Sequence, residues 1–203
     1  MTRPRKASRD ISLSERECGV AMVYRNIRGE YTKKGHAVAL LKLPDGRDII
    51  VDASDPEPFA RHKGLFVREK DYMYMEPLYA KDSDAIIAYR AASGRSNIGT
   101  SRVRTLDFAF INSQFWYYRG ERVPGGLISG TKSKQGLRAS EIALQTSVRL
   151  NPGNPLAMFM LGRVLLAEGN TKQAKSCFGK AIMLYSRYGW IPEGPKQFYS
   201  STK

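Results

Sequence analysis

"GHAVALLKLPDGRDIIVDASD", residues 35–55, decides how the first half of the chain folds. Two aliphatic runs, 37–43 and 48–52, flank the turn "LPDGR" and are rich in residues that suit a pleated surface. Within the turn, Pro44 presets φ, Asp45 bonds its own backbone further on, and Gly46 accepts a φ that other residues resist. The stretch therefore predicts an antiparallel hairpin over 36–52. His36 opens its first strand and Asp52 closes its second, sixteen residues later. An antiparallel pair brings two such ends side by side. Upstream, "VAMVYRNI" (20–27) reads as a neighbouring strand.

Downstream the signal changes. Residues 53–81 read as a long irregular connection with one short strand, and "YMYMEPLY" (72–79) as core packing. "SDAIIAYRAAS" (83–93) reads as a short helix capped by Ser83, and 92–102 as a loop. Leu106, Ala109, Phe110, Ser113, Trp116 and Tyr117 recur at helical spacing. The Gly-rich basic stretch 119–136 reads as a loop. From Leu137 onward only helices are expected. One holds Leu137, Ile142, Leu144, Val148 and Leu150 and stops at Asn151-Pro152. The next begins at an Asn154 cap with Pro155 in the first turn and stops at Gly169. The last runs from a Thr171 cap to Gly189. The fold class is α+β. Its expected divisions are an arm at 1–17, an α+β domain at 18–104, an aromatic helix and basic loop at 105–136, helices at 137–190, and a tail at 191–203.

Composition narrows the function classes. The chain has 203 residues, 42% of them hydrophobic, which is enough for a real core. Two cysteines, Cys18 and Cys177, are too few for a disulfide framework and fit a reducing, cytoplasmic setting. No apolar run reaches the ~20 residues of a membrane-spanning helix, so no membrane partner is expected. The N-terminal "MTRPRKASRD" lacks the apolar stretch of a secretory signal. The net charge is +14. It sits at the two ends, with residues 1–35 and 92–203 carrying the surplus of Lys and Arg and the centre slightly acidic. Arg95, Arg102 and Arg104 form one basic group. Arg119, Arg122, Lys132, Lys134 and Arg138 form another, beside Trp116, Tyr117 and Tyr118. Such groups attract acidic partners, and aromatic neighbours would let a nucleic acid stack. No recognised nucleic-acid motif accompanies them.

Two family resemblances add to this reading. Within 155–184, Leu161, Gly162, Gly169, Ala174, Phe178 and Ala181 fall at the spacing of a tetratricopeptide repeat, which this segment resembles. Gly162 and Ala174 would let two helices approach, with Phe178 filling the wedge between them. The resemblance covers about one and a half repeats, against the ~3 that usually stand alone, so these helices are expected to pack on the N-terminal part. A protein or peptide partner is what the resemblance implies.

"HAVALLKLPDGRDIIVD", with "CGVAMVYRNIRG" (18–29) before it, resembles the His-to-Asp hairpin of the transglutaminase-like branch of papain-like folds. Bacterial proteins that join such a domain to tetratricopeptide-like helices are similar over most of the chain. The family implies a Cys nucleophile at a helix N-terminus, His as its base and Asp as the group that orients the imidazole. The nucleophile belongs some fifteen residues before Gly19. No Cys stands between Met1 and Glu17, and "RPRKASRDISLSERE" is not an apolar helix. Cys18 is the only N-terminal thiol.

Three functions remain open on the sequence. One is a non-catalytic interaction or scaffold protein built on a degenerate domain of this type. Another is a cysteine hydrolase or acyltransferase using Cys18, His36 and Asp52. The third is a basic nucleic-acid-associated protein. No cofactor is expected. "GRSNIGTS" (94–101) has P-loop spacing but Thr100 where Lys is required. Two His and two Cys so dispersed predict no metal site. His62 reads as a solvated loop histidine, and Cys177 as a buried, inert thiol.

Overall fold

The expected hairpin is the centre of a larger sheet. The structure, a computed structural model, describes residues 18–94 and 96–202, with the backbone alone at 32–35. The arm expected at 1–17 and Arg95 lie outside the described residues. Seven strands run in chain order: β1 (Cys18–Arg25), β2 (Tyr31–Lys42), β3 (Asp48–Val51), β4 (Gly64–Arg68), β5 (Tyr72–Tyr79), β6 (Ile86–Ala91) and β7 (Asn97–Gly99). They pair antiparallel in the order β3-β2-β1-β4-β5-β6-β7. Asp48 in β3 also pairs with Ile86 in β6, which closes the first six strands into a barrel. The α+β class holds, with a barrel in place of a small hairpin sheet.

The turn chemistry between β2 and β3 is as read. Gly46 takes a φ of +83°, the Arg47 N–H donates to the Asp45 carboxylate at 3.0 Å, and the Leu43 N–H donates to the Arg47 carbonyl at 2.8 Å. Alternation then sends Val38, Leu40 and Ile50 into the barrel, where they meet Val23, Leu65, Val67 and Met75.

Four expected segments differ, and the first, the loop expected at 92–102, holds β7 paired with β6. The irregular stretch 53–81 holds two full strands, β4 and β5. Gly64–Arg68 is apolar at three consecutive positions because β4 is buried on both faces, with Leu65 and Val67 inside the barrel and Phe66 toward the helices. Pro77 fits in β5 because β4 pairs with that strand only as far as Met75. The helix expected at 83–93 is β6. Its register with β5 slips, Leu78 facing Ala88 and Tyr79 facing Ile86, so Ile87 bulges and both Ile86 and Tyr89 point inward. That three-residue spacing imitates a helix. The expected tail contains a helix, α5 (Glu193–Ser201).

The other helices are α1 (Phe108–Glu121), α2 (Lys134–Leu150), α3 (Pro155–Ala167) and α4 (Thr171–Arg187). Asp107, Ser133 and Asn154 cap α1, α2 and α3, each accepting from first-turn N–H groups. Thr171 is the first residue of α4 and not its cap. Asn170 holds that position without a side-chain bond. Gly169 and Gly189, with φ of +87° and +94°, end α3 and α4. Ile142 and Leu150, two of the apolar points read along α2, are exposed.

The helices cover one face of the barrel. Met22, Tyr24, Phe66 and Tyr74 meet Phe110, Met158, Leu184, Tyr185 and Tyr188 in a mostly aromatic layer. Polar ties hold this seam in register. Arg68 and Tyr72 both bond the Asp107 carboxylate, at 2.7 and 2.9 Å, and the Tyr74 N–H donates to the Tyr188 carbonyl at 2.9 Å. Tyr31 stacks on Trp190 with ring centroids 4.7 Å apart.

Candidate functional site

One end of the barrel gathers both histidines of the chain around one carboxylate. His36 lies in β2 on the same face as Val38 and Leu40, so its ring points to the barrel mouth. Asp52 follows β3, on the face of Ile50, and is 2% exposed. His62 precedes β4 and is 4% exposed. His36 Nε2 lies 2.6 Å from Asp52 Oδ2, and His62 Nε2 lies 2.9 Å from the same oxygen. The other oxygen, Oδ1, accepts from the Ser54 backbone N–H at 3.1 Å and from the Ser54 hydroxyl at 2.9 Å. Ser54 Oγ is also 3.2 Å from His36 Nε2. Burial raises the Asp52 carboxyl, but the hydrogen bonds from Ser54, His36 and His62 outweigh it and hold the group down at about 2.

The backbone around this carboxylate is tied down. The Asp52 N–H donates to the Pro58 carbonyl at 2.7 Å, so 53–57 close a small loop. The His62 carbonyl accepts from the Tyr79 hydroxyl at 2.8 Å. His62 Nδ1 is buried without a hydrogen-bond partner. The His36 side chain, by contrast, is 34% exposed. The mouth thus offers one open imidazole, one closed imidazole and a fixed carboxylate between them.

His36 and Asp52 are brought together as the hairpin predicts. Cys18 is not brought to them. It pairs with Leu41, whereas His36 pairs with Val23, five residues further along β1. At about 3.3 Å per residue, that separates Cys18 from His36 by roughly 16 Å. The register overturns the idea of Cys18 as partner to this imidazole. His62, expected in solvent, is buried and joins the cluster instead. Its partner is Asp52, ten residues back, and not Asp55 or Glu57. Cys177 is partly buried, and burial pushes its thiol up.

The far end of the barrel is also polar. Lys42 donates to Asp48 Oδ2 at 2.7 Å and Tyr89 donates to the same oxygen at 2.6 Å; Lys42 and Asp48 line an open hollow there together with Arg104. Burial raises the Asp48 carboxyl against the lowering pull of Lys42 and Tyr89.

The basic residues do not form one surface. Arg102 is committed to an ion pair with Glu69, and Arg138 to one with Glu141. Arg119 lies over the rings of Trp116 and Phe115, at 5.2 and 5.8 Å from their centroids. These three line a shallow hollow between α1 and α2, with Arg122 and Ile142 at its edge. Phe115 is 56% exposed there and Ile142 is 52% exposed. Lys132 and Lys134 lie in the loop before α2 and at its first residue.

Comparison with protein-family models, with curated proteins and with solved structures returns no match. No helix among the described residues is long and apolar enough to cross a membrane.

Proposed function

We propose that the chain is a non-catalytic interaction protein, a degenerate transglutaminase-like barrel joined to tetratricopeptide-like helices. Its partner is an acidic, apolar peptide segment that docks between α1 and α2. One observation carries this reading: Phe115 and Ile142 stay more than half exposed around an arginine that already lies over two aromatic rings. Exposed apolar groups gathered in one hollow mark contact surfaces. Aromatic and arginine side chains are the types enriched where partners bind. The net charge of +14 favours an acidic partner.

The test is titration of the full chain with an acidic amphipathic peptide bearing Phe and Leu one helical turn apart, beside its scrambled version. Saturable binding of the first alone is the expected result. Arg119→Glu should weaken it at least tenfold, about 1.4 kcal/mol or more. If both peptides bind equally, or a single-stranded oligonucleotide binds more tightly and with a steep salt slope, the reading fails, in the second case in favour of a nucleic-acid partner.

The cysteine-hydrolase alternative loses its support with the Cys18 register. A Cys18→Ala variant is expected to hydrolyse a chromogenic ester no more slowly than the unaltered chain. A rate that collapses in that variant would restore the enzyme reading.

A further inference from the structure

A carboxylate that serves only to orient one imidazole needs one imidazole. Asp52 holds two, and the second is buried. No thiol among the described residues lies in reach of His36 along the sheet. The cluster is therefore not built to activate a thiol of this barrel.

We propose that His36 Nε2, His62 Nε2 and Asp52 Oδ2 bind a divalent transition-metal ion of the zinc class, with the open side at His36 left to water. The three donor atoms lie within 4.8 Å of one another. A tetrahedral ion with bonds of about 2.0–2.1 Å sets its ligand atoms roughly 3.3 Å apart. The two histidine-to-Asp52 spacings of 2.6 and 2.9 Å need to open by about half an ångström, and the two imidazole nitrogens, within 4.8 Å of each other, need to settle near the same separation. Small rotations of the two imidazoles supply that.

The donor set selects the ion. Two imidazole nitrogens and one carboxylate oxygen suit zinc, cobalt, nickel or iron(II). Magnesium and calcium ask for six or more oxygens, and this mouth offers far fewer. Asp52 Oδ1 is fixed by both Ser54 bonds, the kind of outer support that orients a ligating carboxylate. His36, partly exposed, leaves a path for the ion and a place for a bound water. His62 Nδ1 has no partner, and the lack of such an outer bond typically weakens affinity by about 10–100-fold. Neutral imidazoles ligating through Nε2 carry their single proton on Nδ1, so the protons now shared with Asp52 give way to the ion.

This inference rests on the reading that the barrel serves no thiol, but not on the peptide site, and its test is separate from that one. The full chain, free of any histidine tag and stripped with a chelator, is titrated with Zn²⁺ against a chromophoric indicator. Co²⁺ absorption reports the geometry. One equivalent should bind. Asp52→Asn, His62→Gln and His36→Gln should each weaken binding by more than the roughly 100-fold ceiling of an outer-bond loss. A variant with both cysteines changed to serine should keep the ion. If Asp52→Asn does not fold, His36→Gln at its partly exposed position decides the matter. Failure of the unaltered chain to take metal from the indicator overturns the proposal, as does binding lost only in the cysteine variant. The peptide titration is unaffected by either outcome.

Discussion

Asp52→Ala is expected to lower the unfolding free energy by on the order of 3 kcal/mol. The carboxylate accepts from both histidines and twice from Ser54, and it is 2% exposed. Removing it leaves the buried His62 ring with no polar partner and the Ser54 N–H with no acceptor. The milder Asp52→Asn keeps the shape and exposes the pH dependence. The native carboxyl sits at about 2, against an ordinary value of 3.8. A group depressed in the folded state stabilises at pH values above its unfolded value. That stability disappears as pH falls through the folded value. The gap of nearly two units is worth about 2 kcal/mol. Denaturant unfolding at several pH values below 5 should show the unaltered chain losing its margin over Asp52→Asn between pH 4 and 2. A margin that stays constant down to pH 2 would mean that Asp52 is not held ionised by these bonds.

The meeting of His36 and Asp52 is legible because it needs only a hairpin. Alternation chooses the faces, and Pro44, Asp45 and Gly46 choose the turn. His62 is not legible by the same means. It reaches Asp52 by way of a short closed loop between β3 and β4, and loops leave no period in the sequence. The one available signal was β4 itself. "GLFVR" is a short apolar run after a Gly, as befits a strand buried on both faces, and taking it as a strand would have set His62 at the barrel mouth. β6 was obscured for a different reason. Its bulge puts Ile86 and Tyr89 on one face at a spacing of three, which an isolated sequence reads as helix. Of the helices from α2 onward, α3 is legible at both ends because its Asn154 cap and the glycine after it are local chemistry, whereas the Ser133 start of α2 lies inside a Gly-rich stretch that reads as loop. The exposed faces of these helices are harder, as Ile142 shows, because an isoleucine left on the surface and one packed in the core are the same letter.

Gly162 is the position where this local chemistry is expected to cost most when broken. A Cβ placed there would lie 2.6 Å from Phe178 Cε1, 2.8 Å from Cδ1 and 3.1 Å from Cys177 Cβ. Ordinary carbon contacts sit near 3.5–4.0 Å, so α3 and α4 must part by roughly 1 Å or the Phe178 ring must leave its rotamer. Phe178 is fully buried, so neither is cheap. Overpacking of this kind typically costs about 1–3 kcal/mol. Gly162→Ala regains about 1 kcal/mol of helix propensity, whereas a branched side chain regains less and clashes more. Gly162→Val should therefore destabilise by about 3 kcal/mol or more. Phe178→Ala alone should cost about 3–5 kcal/mol, because it empties the same space. The two changes are opposite errors at one contact, so they should compensate. The Gly162→Val/Phe178→Ala double variant should be more stable than the sum of its parts by at least about 1 kcal/mol. Simple additivity in denaturant unfolding would mean that Phe178 does not fill the notch Gly162 leaves, and that the close approach of α3 and α4 depends on other contacts.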